Sequence, residues 1–263
     1  MAGLEAALDG TCFAGKLHFL PVTGSTNSDA MAAARAGAPH GSVWFADEQT
    51  AGRGRGNHAW HSAAGEGLYV SVLLRPAIPV ARLALLPLTA GLAAASAVRA
   101  AADLAIDLRW PNDLLIGGRK TGGILVESHI ESGIGAGPAL AFAVVGIGIN
   151  VHQREFDPAL ATPGTSLGVE AGRFVRRQSL LIELLKSLAY ETEGLLVEAA
   201  ASQIAGRVAA ASTWISGRVV EVHGPQACRG VTMGLDAQGF LLVRTASGVV
   251  TVQTGGIRAA EKS

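Results

Sequence analysis

Short apolar runs alternate with glycine-rich breaks along this chain, and the period and length of each run assign an element. Leu17 to Val22 reads as a strand ending near Gly24. Ser25-Thr26-Asn27-Ser28-Asp29 then opens a helix that runs through Arg35 and stops at Gly37, and its hydroxyls are ready N-caps. Val43 to Ala46 and Leu68 to Leu74 are apolar strands on either side of a glycine and arginine loop, residues 47–61, and are predicted to pair. Residues 83–102 make a long alanine-rich helix, and Ile106 to Trp110 makes another strand. Two apolar strands joined across Gly117-Gly118 predict a hairpin whose turn uses the positive dihedrals glycine permits. Ala139 to Val145 continues into Gly146-Ile147-Gly148-Ile149-Asn150-Val151 as a long strand. That stretch is not a dinucleotide fingerprint, because no glycine-led helix start follows it. Beyond a loop from Pro158 to Gly168, Leu180, Leu181, Leu184, Leu185 and Leu188 recur at helical spacing and mark a core-facing helix.

At Thr213 the texture changes. Ile215 to Val222, Cys228 to Leu235, Phe240 to Val243 and Val249 to Val252 are short β-rich runs split by turn residues. The pattern predicts an α+β chain: a mixed or antiparallel sheet flanked by helices over residues 1–212, then a small β-barrel over 213–263.

Composition narrows the functional classes. Over 263 residues, 49% are hydrophobic and the mean hydropathy is +0.34, so the chain buries a sizeable core. Lys+Arg and Asp+Glu both number 21, which removes any global electrostatic case for nucleic acid or an anionic membrane. Cys12 and Cys228 match neither a metal-ligand spacing nor a disulfide framework, as suits a reducing cytoplasm. Leu83 to Val98, the most membrane-like stretch, contains Pro87 and Gly91 and is shorter than the roughly 20 residues a span needs, so a packed core helix is expected. No basic cluster followed by an apolar stretch opens the chain, so no secretory signal is expected.

The candidate chemistry is local. Gly52, Gly54 and Gly56 alternate with Arg53 and Arg55, so freed backbone amides and two guanidinium groups can wrap a phosphate or carboxylate. A solvated basic turn, or an arginine-glycine segment touching nucleic acid nonspecifically, would have the same letters. Trp60, at the far edge of the loop, either stacks on a ligand or anchors the loop to the core, and the anchor is the simpler role. Lys120 follows the hairpin turn among Gly118, Gly122 and Gly123, which leaves room for a ligand beside its amine. Asn112-Asp113 after Pro111 is either turn chemistry or a polar contact set. Glycines within a strand, Gly146 and Gly148, fit close approach of a ligand or of another backbone.

Three of these segments occur in a familiar order. Gly52-Arg53-Gly54-Arg55 ending in Trp60, Trp110-Pro111-Asn112-Asp113 with Lys120 and Gly123-Ile124-Leu125-Val126-Glu127, and Gly146-Ile147-Gly148-Ile149-Asn150 are arranged as in biotin protein ligases. The sequence resembles that family over nearly its whole length from about residue 17. The resemblance implies a class II synthetase-like catalytic domain followed by an SH3-like β domain. It also implies an ATP-dependent, two-step reaction, with Mg²⁺ arriving on ATP rather than at a dedicated site. Biotin's carboxylate attacks the α-phosphate to give biotinyl-adenylate, and a lysine of a biotin carboxyl carrier domain then takes the acyl group.

By the family pattern, Arg53, Gly54 and Arg55 cover the carboxylate and phosphate, with Gly52 opening the loop, and Lys120 meets the carboxylate or bridging oxygen. Ser25, Thr26, Asn27 and Gln49 hold the ureido head. Trp60, Gly122, Gly123, Gly146, Gly148 and Asn150 line the pocket. Asn112 and Asp113 face nucleotide, metal or the incoming amine, and Asp113 could handle that amine's proton. The family loop commonly has a second Gly-Arg pair where this chain has Asn57-His58, which bears on loop closure. The stretch before Leu17 is too short for the N-terminal DNA-binding domain of some members, so no DNA binding is expected. A cytoplasmic enzyme without a membrane partner, whose exposed sheet edge could support a homodimer as in relatives, completes the expectation. The rivals are a lipoate ligase on the same fold and a non-catalytic biotin or adenylate sensor.

Overall fold

Every residue of the strand Gly67–Leu74 is buried, which requires cover on both faces of its sheet. The computed structural model describes residues 2–132 and 137–260. Its first half runs α1 (Ala2–Ala7), β1 (Leu17–Thr23), α2 (Thr26–Arg35), β2 (Val43–Gln49), β3 (Gly67–Leu74), α3 (Leu86–Ala102), β4 (Asp107–Arg109), β5 (Asp113–Ile116) and β6 (Arg119–Ser132). Then come β7 (Pro138–Asn150), α4 (Leu167–Ala171), α5 (Arg177–Gly194), α6 (Glu198–Ala201) and α7 (Ile204–Ala210). Five strands follow: β8 (Ser216–His223), β9 (Cys228–Leu235), β10 (Leu241–Thr245), β11 (Gly248–Val252) and β12 (Gly256–Ala259).

The first seven strands form one mixed sheet in the order β1-β2-β3-β7-β6-β5-β4. Among the described strands only β1 and β2 pair in parallel. The predicted pairing of β2 with β3 is present, from Val43↔Val72 to Ala46↔Tyr69. So is the hairpin from β5 to β6, with Gly117 at φ 57° and Gly118 at φ 78° in its turn.

The two faces are covered by different helices. On one, α3 and the leucine stripe of α5 pack against Val43, Val70, Val72, Val145, Ile147 and Ile149. On the other, Ala30, Met31 and Ala34 of α2 cover Trp44, Leu73, Phe142 and Val144. Leu68, Val70, Val72 and Leu74 of β3 thus enter one core and Leu73 the other, while Tyr69 and Ser71, on the same face as Leu73, border a cleft.

The helix expected over 83–102 differs at its start. Val80–Leu85 is a 3₁₀ turn and the α-helix begins at Leu86, with Pro87 in its first turn. Proline fits there because a first-turn amide has no helical acceptor, whereas farther inside it would break a bond. The run Val80–Ala102 is long and apolar enough to cross a membrane by length and composition, but Leu86, Leu88, Ala93, Ala94, Ala97 and Val98 are buried in the protein's own core. Helix α1 was not expected; Leu4, Leu8 and Phe13 of that region join the same core.

The second sheet is antiparallel, ordered β11-β10-β9-β8-β12. Its inward residues Val220, Val222, Leu241, Val243, Val252 and Ile257 belong to the same apolar cluster as α3. Two devices join it to the first sheet. Trp110 Nε1 donates to Gly239 O at 3.1 Å. Residues 211–213 also run along β4: Leu108 N donates to Ala211 O at 2.9 Å, and the Asp107 carboxylate accepts from Thr213 N and Oγ1, both at 2.7 Å.

Trp110 and Gly239 are both buried, so Trp110→Phe leaves a carbonyl without its donor. The expected loss is about 1–3 kcal/mol, read from urea unfolding. An unchanged midpoint would mean the bond contributes nothing to joining the sheets.

Candidate active site

A cleft of about 1810 Å³ opens between the first sheet, the 47–61 loop and the turns of the second sheet near residues 224 and 255. It exceeds the roughly 300–1,000 Å³ of a pocket for one small ligand and is open to solvent along one side. Three sets of side chains line it.

The first set is polar and neutral. Because β1 and β2 pair with Thr23 opposite Gln49, Gln49 lies at the start of α2. Its Oε1 accepts from Thr26 N at 2.9 Å and Thr26 Oγ1 at 3.1 Å. The helix is therefore capped from the neighbouring strand, and Ser25, although in the N-cap position, makes no side-chain capping bond. Gln49 Nε2 in turn donates to Ser62 Oγ at 2.9 Å. Ser71 Oγ donates to Asn27 Oδ1 at 2.6 Å and lies 2.8 Å from Thr26 Oγ1. Asn27 Nδ2 donates to Glu127 Oε2 at 2.9 Å. A Cβ on Gly146 would lie 2.1 Å from Asn27 Oδ1, so glycine there admits the carboxamide.

The second set is the arginine loop. Its two arms pair through Gly54 N to His58 O at 2.7 Å and Trp60 N to Gly52 O at 2.8 Å. The three glycines serve different ends. Gly56 takes φ 65° at the tip, Gly52 lets the backbone pass where a Cβ would meet Trp60 O at 2.4 Å, and Gly54 at φ −108° needs neither. Arg53 pairs with Glu127 at 2.7 Å. Arg55 reaches the second sheet, donating to Thr254 Oγ1 at 2.9 Å and to Gly255 O. Burial lowers the Arg55 pKa, and the nearby Asp113 charge opposes that shift.

Trp60 anchors the loop as expected and also walls the cleft. Its indole lies on Gly148, where a Cβ would be 2.6 Å from Nε1, and beside Gly123. Lys120 Nζ is 5.6 Å from the Trp60 ring centre, within cation–π range.

The third set is charged and buried. Asp113, at the start of β5, accepts from Lys120 Nζ at 2.5 Å on Oδ1. On Oδ2 it accepts from Arg109 Nε at 3.0 Å and Nη2 at 2.6 Å. Arg109 Nη2 also donates to Thr162 Oγ1 at 2.9 Å. Side-chain exposure is 8% for Arg109 and 15% for Asp113. Burial alone would raise the Asp113 pKa, but Lys120 and Arg109 outweigh it and hold the carboxyl below its ordinary 3.8. Asp113 is thus a poor proton acceptor and a strong holder of Lys120. The backbone of Lys120 is fixed as well, its N donating to Pro163 O at 2.7 Å and its O accepting from Thr165 N at 2.9 Å.

The anticipated residues other than Gly122 line this cleft, but several have occupations that the sequence concealed. Asn112 Nδ2 donates to Ile124 O at 2.8 Å, so its amide is committed to the sheet. Asn150 Nδ2 holds Thr165 O at 3.0 Å and so braces the strap behind Lys120. Gly122 was expected to open space beside the amine; instead a Cβ there would meet Gly148 O at 2.7 Å and Leu114 at 2.9 Å, so it serves strand packing. Ser71, Glu127, Ser62 and Arg109 were not anticipated as site residues. Ser71 had a signal, a hydroxyl interrupting the apolar run from Leu68 to Leu74, and Arg109 had one, a charge closing a buried strand.

Removing the buried carboxylate should be costly. Asp113→Ala leaves Arg109 buried and unpaired, and a loss of about 3–5 kcal/mol is expected at neutral pH. The folded-state pKa is depressed, so the wild-type contribution is present above about 3.8 and is lost as pH falls through the lower folded value. Urea midpoints followed from neutral pH to about pH 3 should therefore fall more steeply for wild type than for the variant; parallel curves would remove this electrostatic assignment.

Comparison with known proteins places this geometry. Residues 19–150 match the model of the Biotin/lipoate A/B protein ligase family. The biotin--[acetyl-CoA-carboxylase] ligase of Mycobacterium tuberculosis is 36% identical over 92% of this chain and 88% of its own length. The bifunctional ligase/repressor BirA of Bacillus spizizenii is 34% identical over 92% of this chain and 73% of its own. Among solved structures, the biotin protein ligase from Aquifex aeolicus in complex with biotin and ATP superposes with a TM-score of 0.78 at 28% identity, covering 93% of this chain and 98% of that one. By its sequence, its fold and the extent of these matches, the chain belongs to the biotin/lipoate A/B protein ligase family.

Proposed function

We propose that this chain is a cytoplasmic biotin protein ligase, which activates biotin with ATP and transfers it to a lysine of a biotin carboxyl carrier domain. The observation that carries the reading is one cleft in which a neutral hydrogen-bonding end adjoins a cationic end. Thr26, Asn27, Gln49 and Ser71 form the first; Arg53, Arg55 and Lys120 form the second. Biotin has the matching polarity: a neutral ureido head that needs both donors and acceptors, joined by an apolar arm to a carboxylate.

A carboxylate lacks a leaving group that an amine could displace. In the first step its oxygen bonds to the α-phosphorus of ATP while the bond to pyrophosphate breaks, giving the mixed anhydride with AMP. Two anions approach each other in that step, so fixed cations supply the main catalytic contribution. Lys120 is suited to the reacting oxygens because Asp113 and the 163–165 backbone fix it on two sides. Arg53 and Arg55 act from the loop, each exchanging a protein oxygen acceptor for a ligand oxygen. Mg²⁺ would travel with the phosphates: among the described residues no three His, Cys, Asp or Glu side chains lie together as a ligand set, and both Asp113 oxygens face cations. In the second step the carrier lysine's nitrogen bonds to the acyl carbon, AMP leaves, and the amine loses its proton. In this reading residues 1–212 carry the chemistry and residues 213–263 close one side of the cleft through the turn at Thr254-Gly255.

Lys120→Ala keeps Asp113 paired with Arg109, so the fold should hold while biotin-dependent exchange of labelled pyrophosphate into ATP falls about 100-fold or more. Arg55→Ala should release the adenylate faster into solution. Wild-type exchange with biotin but not lipoate is the expected outcome of the parallel assay. Exchange with lipoate alone would overturn the substrate, and wild-type rates in Lys120→Ala would overturn the role of that lysine.

A further inference from the structure

The contacts behind Asp113 lead out of the cleft and into the junction between the two sheets. Trp214 is 5% exposed and stands just before β8. The Arg109 guanidinium carbon lies 5.1 Å from its ring centre and that of Arg218 lies 3.6 Å from it. The indole Nε1 is buried without a hydrogen-bond partner. Trp214 thus presents its ring face to both guanidinium groups. The ring is itself fixed to β4, the strand that ends in Arg109. Ser212 Oγ donates to Leu108 O at 2.5 Å and accepts from Trp214 N at 3.1 Å, and Thr213 clasps Asp107 through two bonds.

Resting on the ligase reading above, we propose that Arg109 and Trp214 are positioning residues for the adenylation step. The ring of Trp214 fixes the guanidinium of Arg109, which fixes Asp113, which sets the place of the Lys120 ammonium against the reacting oxygens. Arg109 borders the cleft, but its Nε and Nη2 are held by Asp113 and Thr162, so it acts through Asp113, and Trp214 acts through Arg109. The second sheet thereby governs the site through a chain of side chains, in addition to covering it. Arg109 needs such support: its Nε and Nη2 converge on a single carboxylate oxygen while Nη2 also serves Thr162, so a small rotation would loosen all three bonds. Displacements of this size far from the reacting atoms are enough to cost about 100-fold in rate.

The charged groups that face Asp113 are Arg109 from β4, Lys120 from β6 and Arg55 from the loop. Loosening Arg109 leaves a buried carboxylate with less cationic support, and the pH at which it protonates and releases Lys120 rises. The test is the pH profile of biotin-dependent pyrophosphate exchange for wild type, Arg109→Gln, Trp214→Leu and Trp214→Phe. Arg109→Gln and Trp214→Leu should each lower the rate about 10-fold to 100-fold and move the acid limb to higher pH. Trp214→Phe keeps a ring face and loses only a donor that has no partner, so it should keep the wild-type profile. Asp107→Ala, which unclasps the junction at an exposed pair, replaces Trp214→Leu if that variant does not fold. A Trp214→Leu or Asp107→Ala enzyme with a lowered melting temperature but an unmoved acid limb would reduce Trp214 to a packing residue and overturn the proposal. Absence of exchange in wild type would instead overturn the ligase reading on which it rests.

Discussion

The carboxylate of Asp113 is buried between Arg109 and Lys120, and the arrangement of the site follows from the need to keep that carboxylate neutralised. An isolated carboxylate at this depth would protonate, and an isolated guanidinium would carry a desolvation penalty of several kcal/mol. Together they hold two cations and one anion in register, with every oxygen of the carboxylate occupied. The surplus positive charge falls on Lys120, which faces the cleft. A fixed cation of this kind can stabilise charge developing on a carboxylate and a phosphate, so in the proposed reaction a constrained polar cluster adjoins the reacting oxygens.

The same economy shapes the neutral end of the cleft. Thr26, Asn27, Gln49 and Ser71 satisfy one another across α2, β2 and β3, so the pocket is rigid before any ligand enters. Rigid donors and acceptors discriminate by geometry, because a ligand lacking the right partners leaves buried groups unpaired. Glycines at 146 and 148 make this possible by admitting Asn27 and Trp60 directly onto the strand β7.

Much of this was legible in the sequence. Strand and helix order followed from periodicity, and the hairpin over Gly117-Gly118 followed from turn chemistry, because those signals are local. The loop arginines and Lys120 drew notice because charges set among glycines stand out from the apolar runs around them. What remained hidden is long-range pairing. Gln49 caps a helix more than twenty residues upstream, Asn112 is committed to Ile124, and Arg109 to Asp113 and Thr162; no local pattern specifies these partners. The start of α3 was displaced because an apolar window does not register where proline can sit, and Gly122 was misjudged because a glycine required by an adjacent backbone looks the same in sequence as one required by a ligand.

The central claim is that this cleft joins biotin to AMP, and the most direct measurement is identification of the mixed anhydride itself. Purified protein incubated with MgATP and an equimolar mixture of biotin and lipoate, then denatured and examined by mass spectrometry, should yield biotinyl-adenylate as the retained product. Lipoyl-adenylate in its place, or no adenylate of either acid, would contradict the account.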